Sequence, residues 1–215
     1  MITSYDTLPV GKYEQLLKYR DTENADLEII AILSGKTVDE LLNMRLPEYA
    51  ELRDHAGFLF YTPEPAKVRK TYSLGGMTLV PSDWQHLTTA QYIDFKEFQN
   101  AEPTMAQLLS VLMVPEGMEY GEKYDVMEVA RLINDEMPVT EAAGLRNFFT
   151  ERLVDSMRDS LTYSRRIANR LTDRTQRREL KKRIRETRSR LNGAGFVKWM
   201  RSASLPAVLG PQSIR

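Results

Sequence analysis

The sequence predicts a mainly α-helical protein: two tandem pseudo-symmetric helical units joined by a small β-hairpin, followed by a long basic helical arm. Three observations carry this. Residues 12–33 (KYEQLLKYRDTENADLEIIAIL) lie over residues 91–112 (QYIDFKEFQNAEPTMAQLLSVL) at a constant offset of 79 without a gap. Three Thr-x-x-Glu/Gln capping boxes, at Thr37, Thr88 and Thr104, each precede an apolar run. Residues 1–145 hold 12 Lys and Arg against 24 Asp and Glu, a net charge of −12, whereas residues 146–215 hold 18 against 6, a net charge of +12.

In the repeat, Tyr13 meets Tyr92, Leu16 meets Phe95, Tyr19 meets Phe98, and the block Ile29–Leu33 meets Leu108–Leu112. The match returns at offset 91, where Leu46-Pro47 meets Met137-Pro138 and Phe58 meets Phe149. The added 12 residues fit Val114–Asp125 (VPEGMEYGEKYD), a charged, turn-rich insertion. A unit this small can hardly bury its apolar face alone, so the two copies are expected to pack on each other.

The elements follow in order. The first ten residues read as extended. A helix is expected over Lys12–Arg20, with Tyr13, Leu16, Leu17 and Tyr19 at helical spacing. Asp26–Leu33 is a second, strongly apolar helix that Ser34-Gly35 ends. Thr37 and Glu40 open a short helix with Leu41, Leu42 and Met44, and Pro47 opens another in which Tyr49, Leu52 and Phe58 could face inward. Pro63 and Pro65 break the helical pattern. Val68–Leu74 and Met77–Val80 flank Gly75-Gly76 as a hairpin, pairing Leu74 with Met77 and Tyr72 with Leu79. The second copy starts at Thr88-x-x-Gln91, and an apolar block runs over 108–114. A helix follows over about 123–134 and, from about Thr140, helix to Leu191 with a break near Thr172–Thr175. The stripe Phe148, Phe149, Leu153, Met157 and Leu161 should dock on the repeats, and Asn192-Gly193 stops the last helix. The expected segments are thus 1–60, first helical unit; 61–86, hairpin linker; 87–149, second helical unit; 150–192, basic arm; and 193–215, apolar tail.

Composition narrows the function. There is no cysteine, which excludes disulfides, thiol catalysis and thiolate metal sites. The N-terminal residues lack a signal-peptide pattern, and no apolar run reaches the roughly 18–20 residues of a membrane span, so no membrane partner is expected. Gly35-Lys36-Thr37 looks like the end of a phosphate-binding loop, but Ile30 stands where its first glycine is needed and the preceding segment reads as helix, so it is taken as a cap. His55 and His86 have no ligand spacing, and Asp21–Asp26 lacks the glycine and glutamate of a calcium loop. No metal, no cofactor, no catalytic residue and no enzymatic activity are expected.

The basic arm is the strongest candidate site. Arg174, Arg177, Arg178, Lys181, Lys182, Arg183, Arg185, Arg188 and Arg190 crowd 17 residues and point around much of a helix, leaving a thin seam of Leu180, Ile184 and Leu191. This reads as an anion-binding arm for nucleic acid or an acidic protein surface, against the alternative of a solvated helix paired with the acidic repeats. The tail, with Phe196 and Trp199, looks like a docking peptide, or simply a last turn covering the core.

The segment Ile29–Leu52, I-x-A-x-L-S-G-K-T-x-x-E-L-L-x-M-x-L-P-E-Y-x-x-L, resembles the tail assembly chaperones of long-tailed bacteriophages. The residues that carry the likeness are Ile29, Leu33, Ser34, Gly35, Thr37, Glu40, Leu41, Leu46, Glu48, Tyr49 and Leu52, and the phrase Leu87–Phe95 (LTTAQYIDF) adds to it. It covers some 35 residues with their flanks. The duplication and the basic arm depart from the compact members of that family. The resemblance implies a partner-coating protein of the host cytoplasm during phage assembly, or of the virion. Such a protein binds the tape-measure protein or other virion proteins and helps recruit tail-tube subunits. A ring-forming virion component, a homo-oligomer and a nucleic-acid-binding protein are the alternatives.

Overall fold

Thr37, Thr88 and Thr104 each cap a helix in the computed structural model of the chain, in the manner their spacing predicts. Thr37 Oγ1 accepts from the Glu40 amide while Glu40 accepts from the Thr37 amide. Thr88 and Gln91, and Thr104 and Gln107, repeat the exchange. The structure describes residues 1–20, 22, 24–100, 104–170, 174–193, 206, 208 and 209. They form a mainly helical protein with one small antiparallel sheet. The helices are α1 (Val10–Tyr19), α2 (Ala25–Ser34), α3 (Val38–Leu42), α4 (Leu46–His55), α5 (Thr89–Asn100), α6 (Met105–Leu112), α7 (Val126–Glu136), α8 (Val139–Arg170) and α9 (Arg174–Gly193). The strands are β1 (Tyr72–Leu74), β2 (Met77–Pro81) and β3 (Met113–Pro115), in the order β1-β2-β3.

The chain divides into two compact units, Met1–Ser82 with Thr88–Leu145 and Ser204–Arg215, and Asp83–Leu87 with Arg146–Ala203. Both helical copies and the hairpin therefore fall in one unit. The boundary at Leu145 is also where the charge of the sequence changes sign.

In the first unit, α6 and α7 form the most extensive helix pair, and α1 crosses both. Leu108, Leu109, Val111 and Leu112 of α6, Val129, Leu132 and Ile133 of α7, and Tyr13 and Leu16 of α1 are buried. Gly11 lies close to α7: a Cβ there would meet the end of the Asn134 side chain, which would have to shift. The N-terminal residues are less extended than expected, since Ser4–Thr7 makes a turn. Leu8 and Val10 then pair with Val139 and Met137, tying the start of α1 to the junction of α7 and α8.

Shifted by 79 residues, α1 falls on 89–98 and α2 on 104–113, the ranges of α5 and α6. Leu16 and Phe95, Ile29 and Leu108, Ile30 and Leu109, and Leu33 and Leu112 are all buried, but Tyr13 is buried where Tyr92 is exposed. The copies diverge after their second helix. Gly35 ends α2 in the left-handed region (φ 72°) and hands its N–H to the Ala31 carbonyl, whereas α6 runs directly into β3. The Gly-Lys-Thr sequence is therefore a helix cap followed by a capping box.

The hairpin has the expected register, Leu74 opposite Met77 and Tyr72 opposite Leu79. Its first strand is shorter than expected, and β3 adds a third strand to it, with Leu79 opposite Pro115. The apolar block 108–114 is thus helix only to Leu112; Val114 favours a strand and Pro115 cannot continue a helix. The hairpin rests on α7, where the Gly75 amide donates to Glu136 Oε2 at 2.6 Å. Within the insertion, the Tyr120 hydroxyl donates to Asp94 of α5 at 2.7 Å, and burial with that carboxylate beside it pushes the phenol strongly up.

α4 carries no fully buried residue. Tyr49 and Leu52 are half-buried against Ile30, Ala31 and Leu41, while Phe58 lies beyond α4 in a 3-10 turn and meets Tyr5 edge-on at 5.0 Å. In the second unit, α8 ends at Arg170 and α9 begins at Arg174, and of the break expected near Thr172–Thr175, residues 172 and 173 lie outside the described residues while Thr175 is in α9. Phe149 and Leu153 are buried, Phe148 and Leu161 are half-buried, and the Met157 side chain lies outside the described residues.

Candidate partner-binding surfaces

Two surfaces, one in each unit, offer chemistry to a partner. In the second unit it is the arm. Helix α9 runs from Arg174 to Gly193, and Arg174, Arg178, Lys181, Lys182, Arg183 and Arg185 are exposed on it, with Arg177 half-buried. Arg188 is in the helix but its side chain lies outside the described residues, as do Phe196 and Trp199 entirely.

The arginines and lysines do not surround the helix evenly. At about 100° per residue, Arg174, Arg177, Arg178, Lys181, Arg185 and Arg188 fall within a sector of about 100°. Lys182, Arg183 and Arg190 fall outside that sector, so the cations point around much of the helix as expected, though most crowd one face. That face borders the apolar seam, where Ile184 is buried and Leu180 half-buried. Arg183 lies off that face and pairs with Glu179 at 2.8 Å.

Ile184 and Ala168 of α8 are buried at a hollow of about 320 Å³ between the two helices. Arg165 and Asn169 of α8 and Lys181 and Arg185 of α9 complete its lining. Three cations and an amide thus converge on one cleft with an apolar floor. These long exposed cations, one on α8 and two on α9, can move onto an anion at little cost, and their attraction weakens with salt. The sequence placed the candidate residues of the arm from Arg174 onward and did not single out Arg165. The signal was the pair Arg165-Arg166, which is also exposed.

In the first unit the surface lies on α3 and α4. The Gly35 cap and the Thr37 box turn the chain sharply, so that Leu41 points into the cluster of Ile30 and Ala31. Leu42 and Leu46 are left 63% and 77% exposed. Leucine is mostly buried, and these two, four positions apart at the α3–α4 junction, are not. Tyr49 is half-buried beside them, and burial together with the Asp26 carboxylate raises its phenol, against the pull of Arg53.

No family model, no curated protein and no solved structure matches the chain.

Among the described residues, no group of three or more His, Cys, Asp or Glu side chains is placed to hold a metal ion. His86 pairs with Asp83 at 2.8 Å on an exposed surface. No helix among them is long and apolar enough to cross a membrane.

Proposed function

We propose that the protein is a non-enzymatic phage assembly factor, a tail assembly chaperone that binds the tape-measure protein and helps tail-tube subunits assemble around it. The observation that carries this reading is the exposed apolar face of Leu42 and Leu46 on α3 and α4, made by the segment Ile29–Leu52. Two short helices that offer leucines to solvent suit a long amphipathic helix laid across them, with anchors at helical spacing. The duplicated α1-α2 and α5-α6 pairs support a scaffold of paired helical units, which we take to be pseudo-symmetric. Binding would keep the partner's apolar stripes covered until tail subunits replace the chaperone. The test is co-expression with a phage tape-measure protein and co-purification. The wild type should retain the partner, and Leu42→Asp with Leu46→Asp should release it while the fold persists. Retention by the double variant would remove this face from the account.

A second reading is favoured by Arg165, Lys181 and Arg185 around one hollow. There the arm grips a polyanion, nucleic acid or an acidic segment of a virion protein, in the host cytoplasm or within the particle. Binding to nucleic acid that falls steeply with salt would support it. A ring or other homo-oligomer that interlocks through the arm would instead be independent of concentration over the micromolar range.

A further inference from the structure

The C-terminal segment sits on the first unit, and its contacts are those of a bound peptide. The Tyr13 hydroxyl donates to the Pro206 carbonyl at 2.6 Å. The Val208 backbone lies beside the Tyr5 hydroxyl, which donates to the Tyr61 carbonyl at 2.8 Å. The Leu209 amide donates to the Leu59 carbonyl at 3.0 Å. Val208 and Leu209 are buried. The seat therefore reads main-chain groups through two tyrosines and a carbonyl, and reads side chains only as apolar. Another short apolar peptide could present the same groups.

The segment does not fill its seat. Beside Leu209 lies a hollow of about 360 Å³ lined by Ile29, Ile30, Ala56, Gly57 and Phe60, with Asp26, Arg53 and Asp54 also in its wall. A volume of that size takes one further large apolar side chain, the kind of concave apolar site that ligands occupy. The chain's own leucine is thus a smaller occupant than the site accepts.

We propose that Tyr5, Tyr13 and Leu59 form a peptide-binding groove, held in cis by the strap Pro206–Leu209, and that an apolar segment of a partner protein, bulkier than Leu209 at its anchor position, displaces the strap. This does not rest on the phage reading, since it concerns a different face from Leu42 and Leu46. A tethered strap acts at high effective concentration, so the groove stays closed until a better-fitting segment competes.

The test uses the full-length chain and a fluorescent peptide of residues 204–212 (SLPAVLGPQ). The peptide should bind Leu209→Asp protein at least tenfold more tightly than wild type, because the cis strap is weakened. A peptide carrying Leu209→Trp should bind the same variant more tightly still, by filling the hollow. Should Leu209→Asp unfold, Leu209→Ala serves, with the same ordering expected. Equal binding to wild type and folded variant, or no binding to either, would overturn the proposal and leave the strap as closure of the core. A weaker Leu209→Trp peptide would overturn the role of the hollow. A wild-type dimer that the peptide converts to monomer would assign the groove to a second copy of the chain and overturn the partner assignment.

Discussion

The carboxylate of Glu14 on α1 accepts a hydrogen bond of 2.8 Å from the backbone amide of Met105, the first residue of α6. One copy of the repeat thereby caps a helix of the other, beside the Thr104 box. Helix N-termini leave unsatisfied amides and favour negative charge, so the contact is favourable for the ionised acid. Burial nevertheless outweighs that bond and the nearby Lys18, and the Glu14 carboxyl is raised above its ordinary value.

A raised carboxyl binds its proton more tightly in the folded than in the unfolded chain. This contribution to stability is therefore complete below the ordinary carboxylate value and is lost as pH rises through the raised one. Glu14→Gln keeps an oxygen for the Met105 amide and removes the buried charge. Measured by urea unfolding, its stability relative to wild type should be more favourable at pH 7 than at pH 4.

Gly144 faces the backbone of Ala66, whose amide donates to the Thr140 carbonyl at 2.9 Å. A Cβ at Gly144 would strike the Ala66 carbonyl oxygen, and main chain on both sides leaves little room to yield. Gly144→Ala should cost about 1–3 kcal/mol by thermal or urea unfolding, as overpacking does. Gly57→Ala, where nothing lies within 4 Å, should stay within about 0.5 kcal/mol of wild type.

The three capping boxes should differ in cost. Thr37→Ala and Thr104→Ala should each lose about 1 kcal/mol. Gln91→Ala should lose more, because Gln91 is buried and its amide also donates to the Val111 carbonyl and to Ser82, both at 3.1 Å. An acceptor left unsatisfied in the core adds about 1–3 kcal/mol. Unfolding of the three single variants side by side gives the order.

On the arm, Lys181→Glu with Arg185→Glu should leave the melting temperature unchanged, both side chains being exposed. If the arm grips nucleic acid, the double variant should bind duplex DNA more weakly. The slope of log affinity against log salt should also shrink by about 1.8, the loss of two phosphate contacts. An unchanged slope would remove these two residues from any such interface.

Local grammar was legible in the sequence, and contacts between distant segments were not. Thr-x-x-Glu/Gln placed three helix starts, and Gly75-Gly76 placed the register of β1 and β2, because each signal acts within four residues. β3 was hidden because its partner Leu79 stands 36 positions before Pro115, and Met113 and Val114 continue an apolar run that suits helix equally well. The seat of Val208 and Leu209 on Tyr5 and Leu59 was invisible for the same reason. The spread of cations around α9 and the thin seam of Leu180 and Ile184 followed from helical arithmetic alone. The exposure of Leu42 and Leu46 did not, since a leucine at helical spacing predicts burial until the surrounding chain is seen to leave it bare.

We propose that the protein acts during assembly by covering a partner and then leaves. Quantitative mass spectrometry of purified mature particles, set against lysate from infected cells and scaled to a major tail protein, tests it most directly. The account predicts an abundant protein in the lysate that is absent from the particle. A fixed stoichiometric copy number in particles would contradict it and make the chain a structural component of the virion.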